Sequence, residues 1–381
     1  MSNLTVVDLF SGPGGFSEGF RQEGYHVAAG VDYDKNSVET FNKNHPESAA
    51  IQGDVSEIDT EYILQEGGVS KEDVNVVVGG PPCQGFSIAG DRNEGDERNQ
   101  LFKDFASKIA VLEPEYFIME NVTGLLSMET PEGRPVIDEI QDRFEDLGYT
   151  TKYRTLVASD YGAPQNRKRV FILGTNQPEP LSFPDPTHSG DGQTTLGQNG
   201  VTLEPYVTVA DAFSDLPQLD AGETATDYKK PPQNDFQTHM RRKMNENSTI
   251  PNHDAVNHRD HIVERFRHIP QGGDMTDAPE EHQPSKVYSS RNRRLPEDRP
   301  SYTVTSHVLD DLIHPWDDRA VTVREAARLQ CFPDHYEFHG KRNVFHGSDE
   351  TSQYEQVGNA VPVALSQSLA AHLKDSYFNE D

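Results

Sequence analysis

Short apolar runs alternate with amphipathic helical patterns through residues 4–175, and this alternation restricts the fold more than any other feature of the sequence. The runs "LTVVDLF", "HVAAGVD", "VNVVVGG" and "YFIMEN" have the length and β-branched content of buried strands. Between them, "DKNSVETFNKN" and "RPVIDEIQDRFEDLG" repeat apolar residues at helical spacing. Strands that alternate with helices form a parallel sheet. We therefore predict an α/β fold built on a doubly wound parallel sheet.

The composition changes after residue 175. Proline, glycine and polar residues dominate the stretch that follows, and only short, weak elements are indicated up to about residue 318. Helical patterns then return in "TVREAARLQ" and "VPVALSQSLAAHLKDSYF". We predict a first part of the main domain at residues 1–175 and an inserted, smaller domain at 176–318. Residues 319–381 would return to the main domain, with the final helix packed against the sheet.

The charge balance is strongly acidic. The chain has 63 acidic against 34 basic residues, a formal charge of -29 and a mean hydropathy of -0.74. Such a surface repels nucleic acid in dilute buffer and is typical of proteins from a very salty cytoplasm. We therefore predict a halophilic source.

The location of the protein is predicted from what the sequence contains. No run reaches the roughly 18 apolar residues of a membrane span, and "MSNLTVVDLF" lacks the pattern of a signal peptide. The two cysteines, Cys83 and Cys331, do not form a disulfide framework and fit a reducing compartment. We expect a cytoplasmic protein without a membrane partner.

One stretch departs from the acidic balance. Residues 229–299 hold 13 basic against 11 acidic side chains, a local charge of +2. Two interpretations are open, a polyanion-binding face or a solvated stretch of a poorly ordered domain. The basic residues of that face would be Arg241, Arg242, Lys243, Arg265, Arg267, Arg291, Arg293 and Arg294.

The segment "GGPPCQGFSIAG" follows the strand "VNVVV" and presents Cys83. Prolines cannot continue a sheet, and glycines allow sharp turns and close backbone approach. Cys83 therefore lies at the carboxyl end of a strand, where open α/β sheets bind ligands. On these residues alone, it is either a small apolar filler in a tight turn or a presented nucleophile.

Three further stretches follow strands and carry a nucleotide-binding pattern. "DLFSGPGGFSEGF" places Gly12 and Gly14 in a turn that opens a helix, but Ser17 stands where the dinucleotide pattern has a third glycine. Asp32 ends the next strand, where an acid can bind ribose hydroxyls. Asp54 in "GDV" is either an acceptor for an adenine amine or a turn residue. These residues favour a nucleoside-containing cofactor and leave NAD open.

Two polar motifs follow later strands. Glu120 in "MENV" ends a strand near the edge that carries Cys83, although isolated carboxylates there more often form helix caps or salt bridges. In "QNRKR", alternation places Gln165, Arg167 and Arg169 on one side. Such residues fit the start of a core strand only if they meet an anion or a polar base.

Taken in order, these motifs, together with "REAARLQCFP" and "QVGNAVP", resemble the DNA (cytosine-5) methyltransferase family. The resemblance covers most of residues 4–175 and about 292–365. It implies a Rossmann-like sheet that uses S-adenosyl-L-methionine, with the insertion as a target-recognition domain. It also implies double-stranded DNA as the substrate and a cognate restriction endonuclease as a candidate partner. We expect a monomer.

The resemblance assigns four catalytic residues. Cys83 matches the thiolate that adds to carbon 6 of cytosine, after which carbon 5 attacks the methyl group. Glu120 matches the acid that holds N3 and the exocyclic amine of the base. Arg169 matches the residue that binds O2, and Arg167 matches one near the cysteine and the phosphate backbone. The target base must then leave the duplex.

The same matching assigns the cofactor contacts. Cys331 lies where the family often has glycine, and we interpret it as a packing residue. Departures occur at Asp32, where glutamate is common, and at Val363, where a second proline is common; neither is a catalytic group. The matched cofactor residues are Phe10, Gly12, Gly14, Asp32, Tyr33, Asp54, Asn359 and Val361.

Other classes of function are weighed against this one. A tRNA cytosine methyltransferase of the same fold tends to replace the glycine after Cys-Gln and to have a smaller insertion, so Gly85 favours DNA. Retention of the catalytic set argues against a non-enzymatic adaptor, and an NAD oxidoreductase needs neither "PPCQ" nor "ENV". We predict no metal: His253, His258 and His261 are spaced like ligands but lack a supporting cysteine set.

Overall fold

The computed structural model describes residues 4–82, 101–190, 195–196, 200, 202–245, 247–344 and 350–378. The chain divides into two compact units. The first, called the sheet unit, comprises Met1–Val157, Lys168–Asp185 and Leu365–Asp381, and the second unit comprises Ala158–Arg167 and Pro186–Ala364. Residues 319–364 thus group with the second unit, whereas the composition-based division assigned them to the main domain.

The sheet unit contains a sheet of seven strands in the order β3-β2-β1-β4-β5-β7-β6. Neighbours from β3 to β5 are parallel, while β7 runs antiparallel to both β5 and β6. The predicted α/β class and doubly wound sheet are confirmed, with one reversed strand at the closing edge. The strands are β1 Thr5–Leu9, β2 His26–Asp32, β3 Ala49–Gln52, β4 Val74–Gly79, β5 Tyr116–Val122, β6 Thr150–Val157 and β7 Lys168–Thr175.

Helices follow the strands as the periodicity predicts. The second helix is capped by Asp34, whose carboxylate accepts a hydrogen bond from the backbone N–H of Ser37 at 2.8 Å. The fifth buries Val136, Ile137, Ile140 and Phe144 on one face. These helices are α1 Gly15–Gln22, α2 Lys35–Asn44, α3 Thr60–Gly67, α4 Leu101–Leu112 and α5 Val136–Glu145.

The core of the sheet unit is apolar. All five residues of β1 are buried, and so are five of the six in β4. Phe105, Phe117 and Phe144 pack with ring centroids 4.2–6.3 Å apart, which joins α4 and α5 to β5. Burial of apolar surface is the dominant favourable term in folding, and aromatic side chains bury large areas of it.

The second unit is built from short elements. Among its described residues, two small sheets contain strands of two to four residues, and the α-helices have four to eight residues. The strands are β8 His188–Ser189, β9 Thr195–Leu196, β10 Thr202–Pro205, β11 Arg293–Arg294 and β12 Leu312–Ile313. The helices are α6 Val209–Phe213, α7 Asp235–Met240, α8 Asp260–Arg267, α9 Val308–Asp311, α10 Val323–Leu329 and α11 Gln353–Asn359.

The final helix, α12 (Val363–Leu373), returns to the sheet unit with all but its first two residues. The Ser366 hydroxyl donates to the carbonyl of Phe16 at 2.6 Å, and the Tyr25 hydroxyl donates to the carbonyl of Ala370 at 3.1 Å. A Cβ at Gly19 would lie 2.4 Å from Oγ of Ser366, so α1 and α12 are in close contact. These contacts pack the last helix against α1 within the sheet unit.

Buried arginines hold the second unit together. Arg328 is fully buried and bonds to Asp215 and Asp334, which are also fully buried. Arg319 forms a two-bond pair with Glu325, both bonds being 2.8 Å.

Within the described residues, none of the helices has the length and apolar character needed to cross a membrane.

Candidate active site

The turn after β1 carries an open glycine. Gly12 has φ +52°, and an added Cβ would meet no atom within 4 Å. Its backbone N–H donates to Oδ2 of Asp32 at 2.8 Å, which fastens the end of β1 to the end of β2. Gly14, at φ 96°, caps α1. Phe10 also has positive φ, at 60°. The backbone therefore leaves room for a ligand at the amino end of α1.

Asp32 is the buried acid of this edge. Its other oxygen, Oδ1, accepts from the N–H of Asp34 at 2.9 Å. Burial raises the pKa of Asp32 to about 6, although the backbone donors act in the opposite direction. The next residue, Tyr33, is 66% exposed, so its ring is accessible to a ligand. Asp54, after β3, is exposed and accepts through Oδ1 from the backbone and hydroxyl of Ser56.

Asp8 is a feature that the sequence analysis did not single out. It lies in β1, is fully buried, and accepts from the hydroxyl and the N–H of Ser17 at 2.7 and 3.2 Å. These hydrogen bonds give Ser17 a structural role at the position where the dinucleotide-binding pattern has its third glycine. Burial raises the pKa of Asp8 to about 7, with Ser17 opposing the shift. In the sequence, the sign of this residue is an acid inside an apolar strand that leads into a glycine turn.

Glu120 and Arg169 form an ion pair between two strands. Nε of Arg169 lies 2.8 Å from Oε1 of Glu120, and the side chains are only 16% and 12% exposed. The register of β5 and β7 pairs Val122 with Arg169 and Glu120 with Phe171. Glu120 and Arg169 are therefore diagonal neighbours on one face of the sheet.

The segment that leads to Cys83 passes this ion pair. A Cβ at Gly80 would lie 3.3 Å from Oε2 of Glu120. The carbonyl of Pro81 accepts from Nδ2 of Asn121 at 3.3 Å. The beginning of "GGPPC" is thus fastened to "ENV" at the carboxyl ends of two parallel strands. Cys83 itself lies outside the described residues.

Arg167 lies in the second unit and is 1% exposed. Its guanidinium donates to the carbonyls of Val304, at 2.5 Å, and Ala360, at 3.2 Å. Both of these acceptors are backbone oxygens.

Three motifs meet around Arg167. Gln165 donates to Oε1 of Gln330 at 2.6 Å, and Gln330 in turn donates to the carbonyl of Val357 at 2.7 Å. These hydrogen bonds join "QNRKR", "RLQCFP" and "QVGNAVP". A Cβ at Gly358 would lie 2.1 Å from the carbonyl oxygen of Thr305, so only glycine fits there. Next to it, Asn359 is exposed and Val361 is 7% exposed, both in the second unit.

Cys331 is a packing residue, as the sequence analysis predicted. It is 5% exposed, and burial raises the pKa of its thiol to about 12. Its φ of 63° lies in the left-handed region, where glycine is strain-free. This backbone conformation explains why glycine suits the position.

Of the basic residues in the candidate polyanion face, Arg294 is buried and Arg241 is paired with a carboxylate. Arg294 is 5% exposed and donates to the carbonyls of Phe266, Ile269 and His314. Arg241 lies 3.5 Å over the ring of Tyr228 and pairs with Asp215. A count of charges cannot distinguish an exposed arginine from one that satisfies buried carbonyls.

Two of the three histidines considered as metal ligands, His253 and His258, have other partners. His253 is buried between the hydroxyl of Thr322 and the carbonyl of Pro217, at 3.1 and 3.0 Å. His258 accepts through Nε2 from the N–H of Ala320 at 3.2 Å. Burial lowers the pKa of both imidazoles.

The chain is similar to known proteins along nearly its whole length. The family model of the C-5 cytosine-specific DNA methylases matches residues 4–375. The Type II methyltransferase M.DdeI of Desulfomicrobium norvegicum is 37% identical over 97% of this chain and 88% of its own length. The Type II methyltransferase M1.HphI of Haemophilus parahaemolyticus is 35% identical over 99% of this chain and 88% of its own.

A solved structure agrees with the sequence matches. A prophage-encoded chain from E. coli, described as a DNA modification methyltransferase, has a TM-score of 0.74 and 27% identity. The similarity covers 99% of this chain and all of that one.

Proposed function

The chain belongs to the C-5 cytosine-specific DNA methylase family, and on this premise we propose that Cys83, Glu120 and Arg169 carry the chemistry. The chain is a DNA (cytosine-5) methyltransferase, and membership implies methylation dependent on S-adenosyl-L-methionine. The observation that best supports the proposed site is the contact between "GGPPC" and "ENV" beside the Glu120–Arg169 pair.

The residues at the carboxyl edge fit this cofactor. Gly12 has open space at its Cα, Asp32 offers carboxylate oxygens, and Tyr33 exposes its ring. These groups suit a backbone approach, a ribose and an adenine in turn. Phe10, Gly14, Asp54, Asn359 and Val361 complete the proposed contacts. When bound, the cofactor supplies the methyl group that is transferred.

The hydrogen-bonding groups of Glu120 and Arg169 match those along one edge of a cytosine. The base presents an amine, a ring nitrogen and a carbonyl oxygen in a row. In the free chain, Glu120 accepts from Arg169. We propose that binding redirects Arg169 to the carbonyl O2 and Glu120 to N3 and the amine. A proton supplied to N3 by Glu120 would stabilise the charge that develops as carbon 6 is attacked.

The thiolate of Cys83 would make that attack on carbon 6, and it would be expelled when the proton on the methylated carbon 5 is lost to water. Because carbon 6 is buried in a stacked duplex, the base must turn out of the helix first. Arg167 would act by positioning, because its hydrogen bonds to Val304 and Ala360 hold the "QVGNAVP" turn.

The two cysteines provide a matched test of the nucleophile. Cys83→Ser should abolish methyl transfer to duplex DNA while leaving cofactor affinity within a few fold, because a hydroxyl is far less ionised than a thiol. Cys331→Ser is the control and should keep substantial activity. The wild type should be trapped covalently by DNA that contains 5-fluorocytosine. Trapping of the Cys83→Ser variant would contradict the assignment.

Glu120→Gln tests the role of the carboxyl group. Glutamine keeps an oxygen for the base amine but cannot transfer a proton to N3. We expect a fall of about 10²–10⁴-fold in kcat, as for the loss of a general acid, with little change in DNA affinity. An equal fall in Glu120→Gln affinity and turnover would indicate a structural role instead.

Residues 176–318 are proposed as the target-recognition region of the chain. They lie outside the proposed catalytic residues and contain the stretch whose charges balance. Replacing them by the corresponding residues of a relative should change the methylated sequence but not the base, as read by bisulfite sequencing. An active chimera with an unchanged site would place recognition elsewhere.

We also propose a monomer that acts in the cytoplasm as the modification partner of a restriction endonuclease. Its Type II methyltransferase relatives support this context. Coexpression with candidate endonucleases from the neighbouring genes tests it: the methyltransferase should protect host DNA from cleavage. Parallel assays on duplex DNA and tRNA would test the alternative of a tRNA methyltransferase. We expect methyl transfer to duplex DNA and none to tRNA.

A halophilic source is proposed from the charge of -29. At about 1 M salt the Debye length is only ~3 Å, so self-repulsion and repulsion of DNA are screened. Salt also weakens phosphate contacts steeply, and we expect screening to have the larger effect. Thermal stability and initial rate should both rise from about 0.1 M KCl towards molar salt. If stability and rate were both highest near about 0.1 M KCl, the proposal of a halophilic source would be wrong, while the proposed activity would not be affected.

A further inference from the structure

A cluster of three nitrogen and oxygen donors contains none of the proposed catalytic residues. Glu264, His268 and His282 each offer a ligand atom, and these atoms all lie within 4.8 Å of one another. All three residues belong to the second unit, and none is used in the proposed reaction. We propose that they bind a divalent transition-metal ion, with zinc as the best match.

The spacing of two donors is set by a helix. Glu264 is in α8 and His268 is its C-terminal cap, so the pair is separated by four residues and shares a face. Oε1 of Glu264 lies 3.4 Å from Nε2 of His268. Two ligands at about 2.0–2.1 Å on a tetrahedral zinc are separated by about 3.3 Å. The observed distance therefore already matches one edge of such a tetrahedron.

The third donor comes from a separate turn, Glu280–His282. The rings of His268 and His282 are stacked with centroids 4.5 Å apart and planes 19° apart. The carbonyl of His282 accepts from Nε of Arg265 at 2.6 Å, which fastens the turn to α8. The donor set is thus held close by contacts that need no metal.

The charged side chains beside the cluster leave its ligand atoms accessible to a metal ion. Nη1 of Arg267 lies 2.8 Å from Oε2 of Glu264, which is the oxygen that does not face His268. Glu281 lies 3.7 Å from Nε2 of His282 and can supply a further oxygen. Side-chain exposures of 41%, 38% and 26% for Glu264, His268 and His282 give a metal ion a path from solvent.

The ligand chemistry selects among ions. Two imidazoles and a carboxylate favour zinc and its neighbours in the first transition row, whereas magnesium and calcium prefer oxygen alone. A fourth position would be taken by water or Glu281. A bound ion would join α8 to the turn at 280–282 and replace the stacking of two imidazoles by coordination.

Zinc binding to the full-length chain tests the proposal. Equilibrium dialysis at about pH 7.5, where imidazole is neutral, should give about one zinc ion per chain. The Cys83→Ser background removes the nucleophilic thiol as a competing ligand. His268→Gln and His282→Gln should each weaken binding by roughly tenfold or more, because even partners outside the coordination shell contribute about 10–100-fold.

His261→Gln is the matched control, because His261 is an exposed histidine on the same helix and outside the cluster. It should bind zinc like the wild type. Zinc should raise Tm in the wild type and His261→Gln, and not in His268→Gln or His282→Gln. Cobalt should give a tetrahedral visible spectrum without a thiolate charge-transfer band. No zinc uptake, or equal uptake by all variants, would overturn the proposal.

Discussion

The two units of this protein exclude water from their interiors with different side chains. The sheet unit packs phenylalanines against aliphatic strands, and Phe105, Phe117 and Phe144 form its centre. In the second unit, the largest fully buried side chains include Arg167, Arg319, Arg324 and Arg328. Long regular elements allow an apolar core, whereas short elements leave many backbone carbonyls that need donors.

Arginine supplies those donors. Arg324 donates to the carbonyls of Pro251, Pro333 and Tyr336, which come from two irregular segments. One planar guanidinium can therefore replace several hydrogen bonds that a longer helix or sheet would have made internally. The cost is desolvation of the charge, and the second unit offsets it with buried carboxylates.

The largest effect should follow from breaking the central buried pair. Arg328→Met keeps a long side chain but removes the buried cation that pairs with Asp334 and leaves Asp215 paired with Arg241. We expect a loss of about 3–5 kcal/mol in the free energy of unfolding of the second unit. The single tryptophan, Trp316, lies in that unit and reports its urea unfolding by fluorescence.

Arg299→Met is the surface control for this experiment. Its guanidinium is 59% exposed and lies 3.9 Å from Asp298. The change should cost less than about 1 kcal/mol. Equal effects of Arg328→Met and Arg299→Met would mean that the buried pair does not hold the second unit together.

Acidification should affect the two units in opposite directions. In the second unit, Arg328 lowers the pKa of Asp334 to about 2, despite burial, so its stabilising contribution is present above about pH 4 and is lost towards pH 2. In the sheet unit, burial raises the pKa of Asp8 to about 7. Its contribution is present below about pH 4 and is lost as the pH rises through 7.

Hydrogen exchange of β1 and Trp316 fluorescence separate these responses. Between pH 7.5 and 5, β1 should become better protected by about 1–3 kcal/mol while the second unit changes little. Asp8→Asn is neutral throughout and should reduce this dependence of β1 to the smaller part that comes from Asp32, whose pKa burial raises to about 6. An unchanged pH profile in Asp8→Asn would show that another group is responsible.

Glycine substitution should distinguish close backbone packing from backbone strain. Gly358→Ala brings a Cβ to within 2.1 Å of the carbonyl oxygen of Thr305, so the backbone of the second unit must shift. We expect about 1–3 kcal/mol of destabilisation in thermal melting. In the sheet unit, Gly133→Ala meets no atom within 4 Å and should cost only its positive φ, about 1 kcal/mol. Equal losses would contradict the close packing.

The smallest effect is expected at Cys331. Cys331→Gly relieves a φ of 63° but removes a buried thiol, so we expect a change of less than about 1 kcal/mol in either direction. Cys331→Val adds a β-branch to the same backbone and should be clearly less stable. Differential scanning calorimetry would rank the three chains, and a Cys331→Val chain as stable as the wild type would exclude the strain.

Sequence patterns predicted the sheet unit well because its local and tertiary signals agree. Asp34 caps α2, and the apolar stripe from Val136 to Phe144 faces the core. The reversal of β7 was not predicted, since antiparallel pairing with β5 depends on how a connection crosses the sheet. The order of the motifs indicated the family, while the contact between Gly80 and Glu120 required the fold.

The second unit was predicted poorly for a physical reason. Arginine is a residue type that usually lies in solvent. Only the folded structure, with the partners of Arg294 and Arg328, shows that these two side chains are buried. The same applies to the proposed zinc ligands. Glu264 and His268 have a recognisable spacing, but His282 becomes their neighbour only through folding. The roles of the catalytic and cofactor residues remain predictions.

The close contact between α1 and α12 also has a consequence for synthesis. Phe16 and Ser366 are 350 positions apart, so α1 leaves the ribosome long before its partner helix exists. At about 5–20 residues per second, the interval is roughly 20–70 s. During that time the face of α1 that contains Gly19 is open to chaperones or to other nascent chains. The sheet unit is therefore completed only after the entire second unit has emerged.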